Sequence, residues 1–109
     1  MDSQEAFYHR LLSGLYRGMP GYLVKSNRES GDGRPDLVLE GPRYRDRAVI
    51  LELKTAKRVQ EMEESSEEAV RQIREKKYRE GLHAEGYEDV IAYGIAFYRK
   101  DCVVKVYES

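Results

Sequence analysis

Apolar side chains recur at helical spacing in the first segment, at Phe7, Leu11, Leu12 and Leu15, which predicts a helix over residues 3–17. Gly18, Pro20 and Gly21 end it. Residues 22–26 are strand-like, whereas 27–35 (Asn-Arg-Glu-Ser-Gly-Asp-Gly-Arg-Pro) are dense in turn formers and predict a loop. Apolar and polar positions then predict strands over 36–40 and 47–54, joined by a hairpin connection over 41–46. Residues 60–80 form the longest helical pattern, with Met62, Ala69, Val70 and Ile73 as a narrow apolar stripe and Gly81 as a stop. Strands over 90–98 and 102–107 follow, with a turn at 99–101. The order helix, three strands, helix, two strands predicts an α/β fold in which helices flank a mixed sheet. The crossover into its parallel pair is right-handed by strong preference.

The 109 residues correspond to one domain, 1–109, with enough length for one core. A charged fraction of 36% and a mean hydropathy of −0.75 are polar for a globular chain, yet the apolar residues come in short runs, unlike those of a disordered one. The longest run, residues 91–98, is far short of a membrane span, and the N-terminus lacks the layout of a signal peptide. Cys102 is the sole cysteine, so there is neither an internal disulfide nor a zinc pattern. A cytoplasmic protein with no membrane partner is expected. The net charge of −1 hides an asymmetry: residues 17–58 carry ten basic and six acidic side chains, residues 59–89 five and ten. Such a chain can present a basic face to a phosphate polymer, though a pI near 6.2 excludes a tight nonspecific nucleic-acid binder.

Candidate chemistry comes from the hairpin. With its turn centred on Tyr44, Asp36 faces Glu52, Val38 faces Ile50 and Glu40 faces Ala48, while Lys54 shares the face of Glu52. Leu37, Leu39, Val49, Leu51 and Leu53 line the other face, which must be covered by a helix. Directly opposed residues have Cβ atoms about 4.5–5.5 Å apart, so the two carboxylates repel. A hard divalent cation between them removes that penalty and leaves coordination positions for water and a phosphate oxygen. Lys54 is placed to stabilise charge on the phosphate or to position the water. The ordinary alternative is a solvated strand face with a cross-strand ion pair, and a one-residue slip would move Asp36 to the wrong side.

Pro35-Asp36 followed by Glu52-Leu53-Lys54 resembles the signature of the PD-(D/E)XK nuclease superfamily. The wider text is similar to the nuclease-like domain found C-terminal to AAA-type ATPase domains in bacterial proteins: Glu5-x-x-Tyr8-His9, residues 26–36, and Gln72-Ile-x-x-Lys-Lys-Tyr78. The likeness runs from about residue 5 to 106. It implies a restriction-endonuclease-like core of α-βββ-α-ββ order and Mg²⁺-dependent hydrolysis of phosphodiesters, with Mn²⁺ as a substitute and DNA as the first-choice nucleic acid. Asp36, Glu52, Glu5 and the backbone carbonyl of Leu53 are then the implied metal ligands, and Lys54 is the catalytic lysine. The ATPase region is absent from the matched text, so an excised domain or a stand-alone relative is expected, with an AAA-type ATPase as domain or partner. A homodimer is compatible with one small site cutting one strand, although no apolar run demands it. A catalytically silent module of the same fold, binding nucleic acid or protein, is the alternative.

Supporting residues are weaker. Asp2-x-x-Glu5 also reads as a capping box. His9, one turn after Glu5, is a candidate phosphate contact, though a lone histidine on a helix is more often a plain surface or boundary residue; Arg28 and Arg34 in the loop are candidates too and equally ordinary as solvated residues, and Arg43, Arg45 and Arg47 at the hairpin can touch phosphates, though a charged hairpin end is normal. The loop lacks the Gly-Lys-Ser/Thr ending of a nucleotide P-loop. Tyrosines such as Tyr93 and Tyr98 read as strand formers rather than base-stacking platforms. Some relatives carry a glutamine and a tyrosine four apart on the second helix. Here Gln72 can point at the site, but Tyr78, six residues on, falls on another face of a continuous helix.

Overall fold

A computed structural model describes residues 3–27 and 34–107, with side chains from residue 8 onward. Helix α1 spans Ser3–Gly18, followed by β1 (Leu23–Ser26), β2 (Leu37–Glu40) and β3 (Ala48–Thr55). A short 3-10 turn, Val59–Glu61, leads into α2 (Met62–Glu75) and α3 (Tyr78–Glu85); β4 (Val90–Tyr98) and β5 (Asp101–Tyr107) complete the sheet. Strand order in space equals order in sequence, and only β3 and β4 pair in parallel. That pair requires the helical crossover supplied by α2 and α3. The expected α/β architecture is therefore observed.

The hairpin register is the expected one: Leu37 pairs with Leu51, Val38 with Ile50, Leu39 with Val49 and Glu40 with Ala48. Its connection is pinned by tertiary contacts. The Tyr87 hydroxyl donates to the Gly41 carbonyl at 2.7 Å, and Tyr44 meets the Tyr87 ring edge-on at 5.2 Å. Arg43 pairs with Asp46 and Arg47 with Asp89, so two of the three hairpin arginines have carboxylate partners.

Alternation along the strands makes two cores. On one face Leu37, Leu39, Leu51, Leu53 and Phe97 pack with Tyr8, Leu11, Leu12 and Leu15 of α1. On the other, Val38, Ala48, Ile50 and Ala92 pack with Ile73, Tyr78 and Leu82 of α2 and α3. The acid-bearing face is thus covered too, and the charged row of β3 begins where this second core ends. Helix α2 reaches the sheet closely because β4 has a glycine at the crossing. A Cβ on Gly94 would stand 2.7 Å from the Ser66 carbonyl oxygen and 2.9 Å from the Ala69 Cβ.

The helical segment expected over 60–80 departs from expectation. It breaks at Lys76 and Lys77, and Lys77 adopts a left-handed conformation (φ 57°, ψ 37°) before α3 begins. A non-glycine residue there costs roughly 1–2 kcal/mol. The break turns Tyr78 and Leu82 onto the second core, where both are buried. Gly81, expected to stop the helix, lies inside α3, which runs on to Glu85. Tertiary burial outweighs its poor propensity of about 1 kcal/mol relative to alanine.

Gly94→Ala is expected to destabilise the protein by about 1–3 kcal/mol, because backbone rather than a flexible side chain must yield. Urea denaturation measures this, and an unchanged midpoint would mean that α2 has room to move away from β4.

Candidate metal and catalytic centre

The β2–β3 ladder runs out at Leu37 and Leu51, and the next pair of positions holds Asp36 and Glu52. There the backbone ladder is replaced by side chains bonding across the strands. The Asp36 amide donates to Glu52 Oε1 at 2.9 Å, and the Leu53 amide donates to Asp36 Oδ2 at 2.8 Å. Each carboxyl thus caps the other strand through one oxygen.

Glu52 is only 2% exposed. Burial pushes its carboxyl up to about 7, and the neighbouring Asp36 carboxyl adds to the rise by its charge and by sharing a proton. The Asp36 amide and the Lys54 ammonium oppose it. Lys54, two residues along the same face, donates from Nζ to Gln72 Oε1 at 2.6 Å. The glutamine comes from α2, within reach because Gly94 admits that helix. A neutral amide partner holds the lysine without neutralising its charge.

Tyr78 closes the arrangement. Its hydroxyl is buried and makes no hydrogen bond. Burial raises its pKa, and the charges of Glu52 and Asp36 add to this. The expectation that Tyr78 points elsewhere is corrected: it assumed one continuous helix, and the left-handed Lys77 removes that premise. Beside the pair, starting at Pro35 and walled by Tyr78, runs an open groove of about 370 Å³ that also contains Arg34, Lys76 and Lys77.

The structure therefore brings together Asp36, Glu52, Lys54 and Gln72, and sets Arg34 in the adjoining groove. The Leu53 side chain is committed to the first core, leaving only its backbone to face the pair. His9 is exposed on α1, edge-on to Tyr8, in a depression shared with Arg10, Ser13 and Arg17 that contains neither acid. Glu5 lies in α1, but its side chain is outside the described residues, as is all of Arg28. Among the described residues no three histidine, cysteine or acidic side chains cluster as a metal cage. The donor set that exists, two adjacent carboxyls, is the oxygen-only chemistry that Mg²⁺ and Mn²⁺ accept, with water filling the other positions.

A family model for the PD-(D/E)XK nuclease superfamily matches residues 3–107. The chain belongs to this superfamily, and its five-stranded mixed sheet flanked by helices is the restriction-endonuclease-like fold of that group. No curated protein and no solved structure matches it significantly. Among the described residues no helix is long and apolar enough to cross a membrane.

The raised Glu52 pKa has a sign that can be checked in metal-free protein. Between about pH 4.5 and 7 the native state holds a proton that the unfolded chain has released, so this group's stabilisation is complete at low pH and lost as pH rises through 7. At about 1.4 kcal/mol per pKa unit the loss amounts to a few kcal/mol by pH 8. Glu52→Gln keeps an acceptor for the Asp36 amide and is expected to remove this slope, making the variant the more stable protein at pH 8. Parallel stability–pH curves for the two proteins would contradict this origin of the shift.

Proposed function

We propose that this protein is a metal-dependent phosphodiester hydrolase acting on nucleic acid, with DNA as the first substrate to test. The observation that carries the reading is the crossed bonding of Asp36 and Glu52. It holds two acids side by side, two residues from a lysine bonded to a neutral amide.

In this reading Asp36 and Glu52 hold Mg²⁺ or Mn²⁺, assisted by the Leu53 carbonyl, with Glu5 of α1 as a further ligand. A bound divalent ion supplies charge neutralisation at the phosphate and a more acidic water. The rest falls to the chain. The role of Asp36 and Glu52 would be to hold that ion at a fixed place, and the face on which Glu52 is buried is closed to bulk water. Lys54, oriented by Gln72, orients the attacking water and stabilises negative charge on the phosphate oxygens. Attack of the water oxygen on phosphorus breaks the bond to O3′, leaving a 5′-phosphate and a 3′-hydroxyl. Arg34 contacts the backbone of the bound strand; Arg28 and His9 are further candidates for such contacts.

Cleavage of plasmid and of labelled oligonucleotides is expected to require Mg²⁺ or Mn²⁺. It should fall at least 100-fold in Asp36→Ala and in Lys54→Ala, roughly the scale of losing one well-placed charge-stabilising group. Gln72→Ala is expected to lower the rate less than Lys54→Ala, since it frees the lysine rather than removing it. Equal cleavage by wild type and by folded Asp36→Ala protein would overturn catalysis at this site.

A further inference from the structure

We propose that the groove beside the acidic pair is a subsite for one unpaired nucleotide of the bound strand. This inference rests on the nucleic-acid reading above and adds which form of substrate it favours. At about 370 Å³ the groove lies near the lower end of the 300–1,000 Å³ range of small-ligand sites, room for a single nucleotide unit. Its floor is apolar and aromatic, from Val38, Leu82 and the buried Tyr78. Lys76 and Lys77 lie along it with Glu85, Arg34 stands at the Pro35 end, and Lys25 is bonded to Glu40. An apolar floor under positive charge suits a sugar and base flanked by phosphates, the pairing of contacts that holds single strands. A stacked and paired base reaches such a recess only by leaving its helix.

Two backbone features at the groove are otherwise poor choices. Lys77 occupies a left-handed position that glycine would fill without strain, yet a lysine stands there. Gly81 sits in the middle of α3, where a Cβ would meet nothing within 4 Å, so no packing requirement excludes a larger, better helix former. Both lie along the groove. The first puts a charged side chain where the backbone favours glycine, and the second leaves the wall open to a ligand.

The test uses the whole chain, without divalent ions, and fluorescence anisotropy with a labelled 12-nucleotide single strand of DNA and its blunt duplex. The single strand is expected to bind more tightly. Gly81→Leu, which fills the groove, is expected to weaken that binding at least tenfold while its Tm is equal or higher. Lys77→Gly, which keeps the left-handed turn and removes the charged side chain, is expected to reduce the salt dependence of single-strand binding by about 0.7 in log–log slope, the loss of one phosphate contact. Wild-type protein that binds neither probe, a duplex bound as tightly as the single strand, or variants that bind like wild type would each overturn the subsite. Metal-dependent cleavage that persists with such results leaves the hydrolase reading standing. Binding that depends on Gly81 and Lys77 in a protein that never cleaves sinks catalysis and keeps the groove.

Discussion

Two carboxylates at opposed positions of a sheet repel, and burying one of them compounds the cost. Like charges about 5 Å apart at an effective dielectric near 20 repel by about 3 kcal/mol. At the end of the β2–β3 hairpin this is offset by exchanging side chains for backbone. Asp36 caps the Leu53 amide, and Glu52 caps the amide of Asp36. Charge-assisted bonds of this kind contribute about 1.5–3 kcal/mol each. They also fix the orientation of both carboxyls, and what remains is a concentration of negative charge. The remainder of the structure serves to hold that pair in place and to bring a cation-bearing side chain beside it.

The supporting parts trace to single positions. Gly94 lets α2 lie against β4, and that approach delivers Gln72 to Lys54. Lys77 in its left-handed conformation divides the crossover into two helices, and that division delivers Tyr78 to the second core and to the electrostatic reach of both acids. Leu37, Leu39, Leu51 and Leu53 anchor the opposite face on α1, so the hairpin cannot slip by one residue without exchanging its apolar and acidic faces. The same patterning that builds the first core therefore sets the register of the acids.

This explains which parts could be read from the sequence. Period-two alternation on both strands, with a central Tyr44, determined the register of Asp36 and Glu52, and the periodic α1 and strand segments fell where expected. The division after Glu75 left no such trace. Neither glycine nor proline marks it, and the one nearby glycine, Gly81, is inside a helix held by burial of Tyr78 and Leu82. Helical periodicity carried past the break then misplaced Tyr78. The depth of Glu52 was equally hidden, since an acid in an alternating strand reads as a solvated face until α2 and α3 are laid over it. Lys76 and Lys77 stood in the matched text as spelling, and only the break gives them a place along the groove.

The most direct measurement is a calorimetric titration of the whole chain with Mn²⁺ at pH 6 and pH 8.5, repeated in buffers of different ionisation enthalpy. If the paired acids form a cation seat, one ion binds, a proton is released at pH 6 where Glu52 is largely protonated, almost none is released at pH 8.5, and Glu52→Gln loses the site. Absence of binding at both pH values, or an equal binding isotherm for Glu52→Gln, would contradict the account.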